Sequence, residues 1–225
     1  MQNTSSPRPI SPDTELRVEL ANALTHGFGV IFGIASIPVV TAISASAENV
    51  KAIIAAGVYA FCFIMLFTFS TLYHAVQNPI AKRMLKVCDH ISIYFLIAGT
   101  YTPFILIYLL NGFGITLLSI LWALTFIGIF FKVFFAGRFK LLSTLIYVAM
   151  GWLLLVGGKT FFTALPASVL IMIVIGGGLY SLGVIFYMSK RFLFHHIIWH
   201  VFVLTGAICH YVAVLLAVLF GPGHS

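Results

Sequence analysis

The sequence predicts an all-α membrane protein: a seven-transmembrane helix bundle with its N-terminus cytoplasmic and its C-terminus outside. Three observations predict it. The hydrophobic fraction is 61% and the charged fraction only 8%, against roughly 25% charged residues in a soluble domain. The mean hydropathy is +1.12. The apolar residues form continuous runs of about 20, the length that spans a hydrocarbon core; a transmembrane barrel would show alternating segments half as long.

Residues 1–18 are polar, with Pro7, Pro9 and Pro12 and no apolar core, so they read as a disordered cytosolic tail and not a signal peptide. Residues 19–220 form the membrane domain and 221–225 a short external tail. The seven apolar segments lie at about 22–44, 52–75, 89–110, 113–133, 141–158, 166–188 and 195–219. The fifth is the shortest. Gly29 and Gly33 in the first segment and Gly176–Gly178 in the sixth mark close helix approach. Pro38 and Pro103 fall inside the first and third segments, where a bundle tolerates them.

Orientation follows from the basic residues. Arg8, Arg17, Lys82, Arg83, Lys86, Lys132, Arg138, Lys140, Lys190 and Arg191 fall on one side, ten of the twelve; only Lys51 and Lys159 fall on the other. The richer side is cytoplasmic by the positive-inside bias. Charges grouped this way report topology, so the net charge of +7 calls for no nucleic-acid partner. Cys62, Cys88 and Cys209 are scattered, without a CxxC, and read as small buried hydrophobes.

The polar residues within the apolar frame gather at the cytoplasmic side. Glu19, Asn22 and His26, at offsets of three and seven, share a face of the first helix. Ser70 and His74 are four apart in the second, Asp89 opens the third, and His196 and His200, four apart, open the seventh. Three imidazoles, His74, His196 and His200, suit Zn²⁺ in a tetrahedral site that leaves one position for water. Asp89 at the same depth can orient or deprotonate a water, and Ser70 can hold a substrate carbonyl or the His74 ring. His74 taken alone also reads as an interfacial histidine at a helix end. Glu19, Asn22 and His26 read as a network behind the ligands. His90, His195 and His210 read as structural or headgroup-facing residues.

Together, Glu19-x2-Asn22-x3-His26, Ser70-x3-His74, Asp89, His196-x3-His200 and the run Ala98–Phe104 resemble the hemolysin III-like proteins, the bacterial branch of the progestin and adipoQ receptor family. The resemblance covers essentially the whole membrane domain. It implies seven helices, a cytoplasmic N-terminus and a zinc ion held near the inner leaflet by residues matching His74, His196 and His200. It places an aspartate matching Asp89 and a serine matching Ser70 beside them. It also implies ceramidase-like chemistry, zinc-dependent hydrolysis of a lipid amide or ester tied to membrane lipid homeostasis, in a bacterial inner membrane. The long N-terminal domain of the animal receptors has no counterpart here, which argues against a hormone receptor. Two other functions stay open: a non-catalytic membrane sensor with structural zinc, and a pore-forming hemolysin or transporter. A pore needs a polar path across the bilayer, and the outer halves of these segments are apolar.

Overall fold

A computed structural model describes residues 11–46, 49–135, 139–189 and 193–222. Eight α-helices and no strand occur among the described residues: α1 (Pro12–Ser46), α2 (Val50–Ala75), α3 (Pro79–Tyr108), α4 (Gly112–Phe134), α5 (Lys140–Gly151), α6 (Gly158–Ala164), α7 (Ala167–Met188) and α8 (His195–Leu219). A single 3-10 turn, Leu153–Leu155, links α5 to α6. Six helices, α1–α4, α7 and α8, are long and apolar enough to cross a membrane.

Asparagines set three of the helix starts. Asn49, Asn78 and Asn111 each accept a hydrogen bond from a backbone N–H in the first turn of α2, α3 and α4. Proline follows the cap of α3, where its missing N–H costs nothing. The cap at Asn78 moves the start of the third helix ten residues ahead of the expected 89. Lys82, Arg83 and Lys86 are therefore helical, and Asp89 sits in the third turn instead of at the helix mouth. In the same way α1 begins at Pro12, after Ser11 accepts from the Thr14 N–H, so residues 12–18 are helical. Arg8, Arg138, Lys190 and Arg191, which entered the charge count, lie outside the described residues.

The fifth apolar run is not one helix over 141–158. It breaks after Gly151 and resumes at Gly158, whose φ of +47° suits glycine. The break frees backbone groups that an apolar interior cannot solvate. Tyr101 of α3 covers two of them: its hydroxyl donates to the Gly151 carbonyl at 2.7 Å and accepts from the Leu154 N–H at 3.0 Å.

Helix α1 packs on α2 and α8, α2 on α3, α3 on α4, α5 and α8, and α7 on α8. Gly29 lets α1 approach α2 closely, because a Cβ there would lie 2.3 Å from the Phe67 ring. The outer face of α1 carries Leu20, Leu24, Phe28 and Ile31, all exposed at helical spacing, while Asn22, His26, Gly29 and Gly33 face inward. An apolar outside over a partly polar inside is the pattern of a helix in lipid.

Candidate metal centre

Four helices bring the polar residues together. The four-residue offset stacks His196 and His200 on one face of α8, and α2 presents His74 to that face. The imidazoles of His74, His196 and His200 each offer a nitrogen, and these nitrogens lie within 4.8 Å of one another. Nε2 of His74 is 3.1 Å from Nε2 of His200. Two nitrogens bound to one zinc at about 2.0–2.1 Å in a tetrahedron lie about 3.4 Å apart, so this pair is already near the separation a shared ion needs. His74 and His200 are each only 2% exposed, and His196 is half-buried.

The outer nitrogen of each of the two buried rings faces a polar side chain of α1. Nδ1 of His200 lies 2.6 Å from Nε2 of His26, and Nδ1 of His74 lies 3.4 Å from the Glu19 carboxylate. Glu19 also contacts the Lys82 ammonium. A partner on the outer nitrogen fixes the tautomer and aims the other nitrogen inward, as in metal sites generally. The donor chemistry, three imidazole nitrogens with His26 and Glu19 behind two of the rings, suits a borderline-soft divalent ion such as zinc.

The other expected residues fall differently. Asp89 stands outside the close group, 3.6 Å from His90, and lines a cavity of about 580 Å³ together with Ser70, His196 and His200. Asn22 is buried on the inner face of α1, but its Oδ1 has no hydrogen-bond partner among the described residues. The ring of His195 is 6.1 Å from that of His196 and is not among the grouped ligands. His90 bonds the Lys86 carbonyl and also lines the cavity. His210 is held by the Gly206 carbonyl at 2.8 Å.

A family model described as Haemolysin-III related matches residues 14–211. The chain belongs to this family. It is 41% identical over 204 residues to Hemolysin-3 of Bacillus cereus, which covers 91% of this chain and 93% of that protein. It is 41% identical over 200 residues to the Hemolysin-3 homolog of Bacillus subtilis strain 168, covering 89% and 94%. More distantly, it is 27% identical over 202 residues to the human Monocyte to macrophage differentiation factor, covering 86% and 82%. The haemolysin-III match spans every helix that carries a site residue, from Glu19 of α1 to His200 of α8.

Sequence patterning missed several residues of this haemolysin-III-related centre. Lys82 counted only as a topology charge, yet it contacts Glu19 from 63 residues away. Tyr187 of α7 packs near His196, and the Tyr147 hydroxyl donates to the His90 carbonyl at 2.9 Å. No spacing rule links these residues, because their meeting depends on how separate helices pack: α1 and α3 for Lys82, α5 for Tyr147 and α7 for Tyr187.

Proposed function

We propose that this haemolysin-III-related protein is a seven-pass protein of the bacterial plasma (inner) membrane that holds Zn²⁺ at His74, His196 and His200 and hydrolyses an amide or ester of a membrane lipid. The observation that carries the reading is the cluster of three imidazoles beside a cavity whose wall also bears Asp89 and Ser70. The seventh crossing is composite. At 1.5 Å per residue, the 12 residues of α5 rise about 18 Å and fall short of a core about 30 Å thick. The 3-10 turn and α6 complete it. The basic residues of the first turns of α3 and of the start of α5 set that side in the cytoplasm.

Bound at this centre, zinc would supply Lewis acidity at a carbonyl oxygen and draw the pKa of a water down to about 7. The side chains do the rest. Glu19 and His26 hold the His74 and His200 rings from behind. Ser70 offers a hydroxyl to the substrate carbonyl. Asp89 accepts a proton from the attacking water and passes it to the leaving nitrogen or oxygen. Ile93, Ile97, Phe131 and Trp152 on the cavity wall accommodate an acyl chain. The test is metal analysis together with mass-spectrometric detection of lipid products, for the wild type and for Asp89→Asn. Zinc retained with turnover lost is the expected result; undiminished turnover removes Asp89 from its role.

A second reading, a non-catalytic regulator with structural zinc, is favoured by the way the buried contacts of Glu19 and His26 tie α1 to α2 and α8. It predicts a fold that loosens in His200→Ala and no lipid product from any substrate.

A further inference from the structure

We infer that the cavity beside the histidines ends in an anion-binding rim that selects an amphiphile whose phosphate head carries net negative charge. The inference rests on the lipid-hydrolase reading for what happens at the inner end, but the rim stands on its own observations. The charged side chains on the cavity wall are Arg83 and Lys86 of α3, Lys132 of α4, Lys140 of α5 and a single carboxylate, Asp89. Among the described residues, Arg83, Lys86 and Lys132 have no carboxylate within 4.0 Å; Asp89 pairs with His90, and Glu19 with Lys82 and His74.

The positive-inside bias accounts for basic residues on this side. It does not account for their turning into a cavity. Lys132 shows the difference. In the last turn of α4, Phe131 is 38% exposed, Val133 53%, Phe134 66% and Phe135 38%, while Lys132 is less exposed than any of them. Its ammonium reaches inward, 5.7 Å from the centre of the Tyr147 ring. A lysine kept for topology would extend toward water and leave the apolar side chains in lipid or packed. From α5, the Lys140 ammonium lies 4.0 Å from the centre of the Tyr187 ring. The Tyr147 face holds the Lys132 ammonium without neutralising it. An ammonium withdrawn from water without a counter-anion is costly, and a phosphate offsets that cost with charge-assisted hydrogen bonds. The geometry therefore seats the anionic head among α3, α4 and α5, with Asp89 and the histidines deeper in the same cavity.

The phosphate could belong to a lipid head or be free in solution, and a binding experiment separates the two. Purified full-length protein is titrated with an alkyl phosphate and with the alkylphosphocholine of the same chain. Inorganic phosphate alone is added as competitor. The expected result is about tenfold tighter binding of the alkyl phosphate, not displaced by inorganic phosphate at matched concentration. Displacement by inorganic phosphate at matched concentration overturns the amphiphile as occupant and assigns the rim to the free ion. Equal affinity for the two amphiphiles overturns the inference. Lys132→Met should bring the ratio of the two affinities close to one and Lys132→Arg should keep it, while Arg17→Gln, which removes an exposed charge from α1 away from the cavity, should leave it within about twofold. If Arg17→Gln erases the ratio as fully as Lys132→Met does, general surface charge explains the preference and the rim is refuted. Because binding is read without turnover, absence of zinc or of lipid product would sink the hydrolase reading and leave this result standing.

Discussion

Two regions of this bundle handle polar groups in opposite ways. Where α1, α2 and α8 meet, the backbone is regular and the polar atoms belong to side chains: His26, His74, His200 and Glu19 contact one another across three helices. Along α5 and α6 the polar atoms belong to the backbone itself, freed by the break after Gly151, and one side chain from another helix, Tyr101, covers them. The first arrangement concentrates donors at a point and invites a ligand. The second hides them and serves only continuity of the chain. Only the first leaves lone pairs converging on a common centre; there Asn22 Oδ1, Ser70 Oγ and His74 Nδ1 have no hydrogen-bond partner among the described residues.

Substitutions can break or sharpen this contrast. The largest effect is expected for His200→Ala, which removes a ligand and strands His26: zinc affinity should fall by more than about 100-fold, the upper end of the loss seen for groups one step further out, as read by titration against a zinc buffer. Glu19→Gln keeps all three imidazoles but weakens the hold on His74, and should cost about 10- to 100-fold in the same titration. Gly29→Ala drives a methyl into Phe67, whose ring centre lies 5.0 Å from that of His26; overpacking of this kind costs about 1–3 kcal/mol and should lower the melting temperature and the zinc affinity together. The smallest effect is expected for Tyr101→Phe. It unpairs the Gly151 carbonyl and the Leu154 N–H at about 1–3 kcal/mol, lowering the melting temperature while zinc content stays at the wild-type level. Loss of zinc in Tyr101→Phe would mean that the two regions are one cooperative unit and would erase the contrast.

Much of the histidine region was legible in the sequence because its logic is local. Offsets of three, four and seven put Glu19 with His26, Ser70 with His74, and His196 with His200, whatever the helices later pack against. That the chain is an all-helical membrane protein was legible from the apolar runs alone. The helix starts were misplaced although the signals were present: Ser11-Pro12 and Asn78-Pro79 are cap and first-turn pairs, outweighed by the charged residues that follow them. The break in the fifth run was also foreshadowed, by Gly151 and the Gly157–Gly158 pair. Other features had no local signal. Lys132 reads as one more flanking charge until α5 and its Tyr147 are in place, and the contact of Lys82 with Glu19 depends on α1 and α3 both packing on α2.

The pairing of α8 with α1 and α2 has a consequence in time. His74 and His200 are separated by 126 residues, and a ribosome adding about 5–20 residues per second needs about 6–25 s to travel between them. Throughout that interval the polar face of the early helices is in the membrane without the helix that completes it. Synthesis stalled after α7 therefore yields a chain whose first two helices carry stranded polar groups, the kind of species that quality-control proteases remove, and the centre matures only when the last helix arrives.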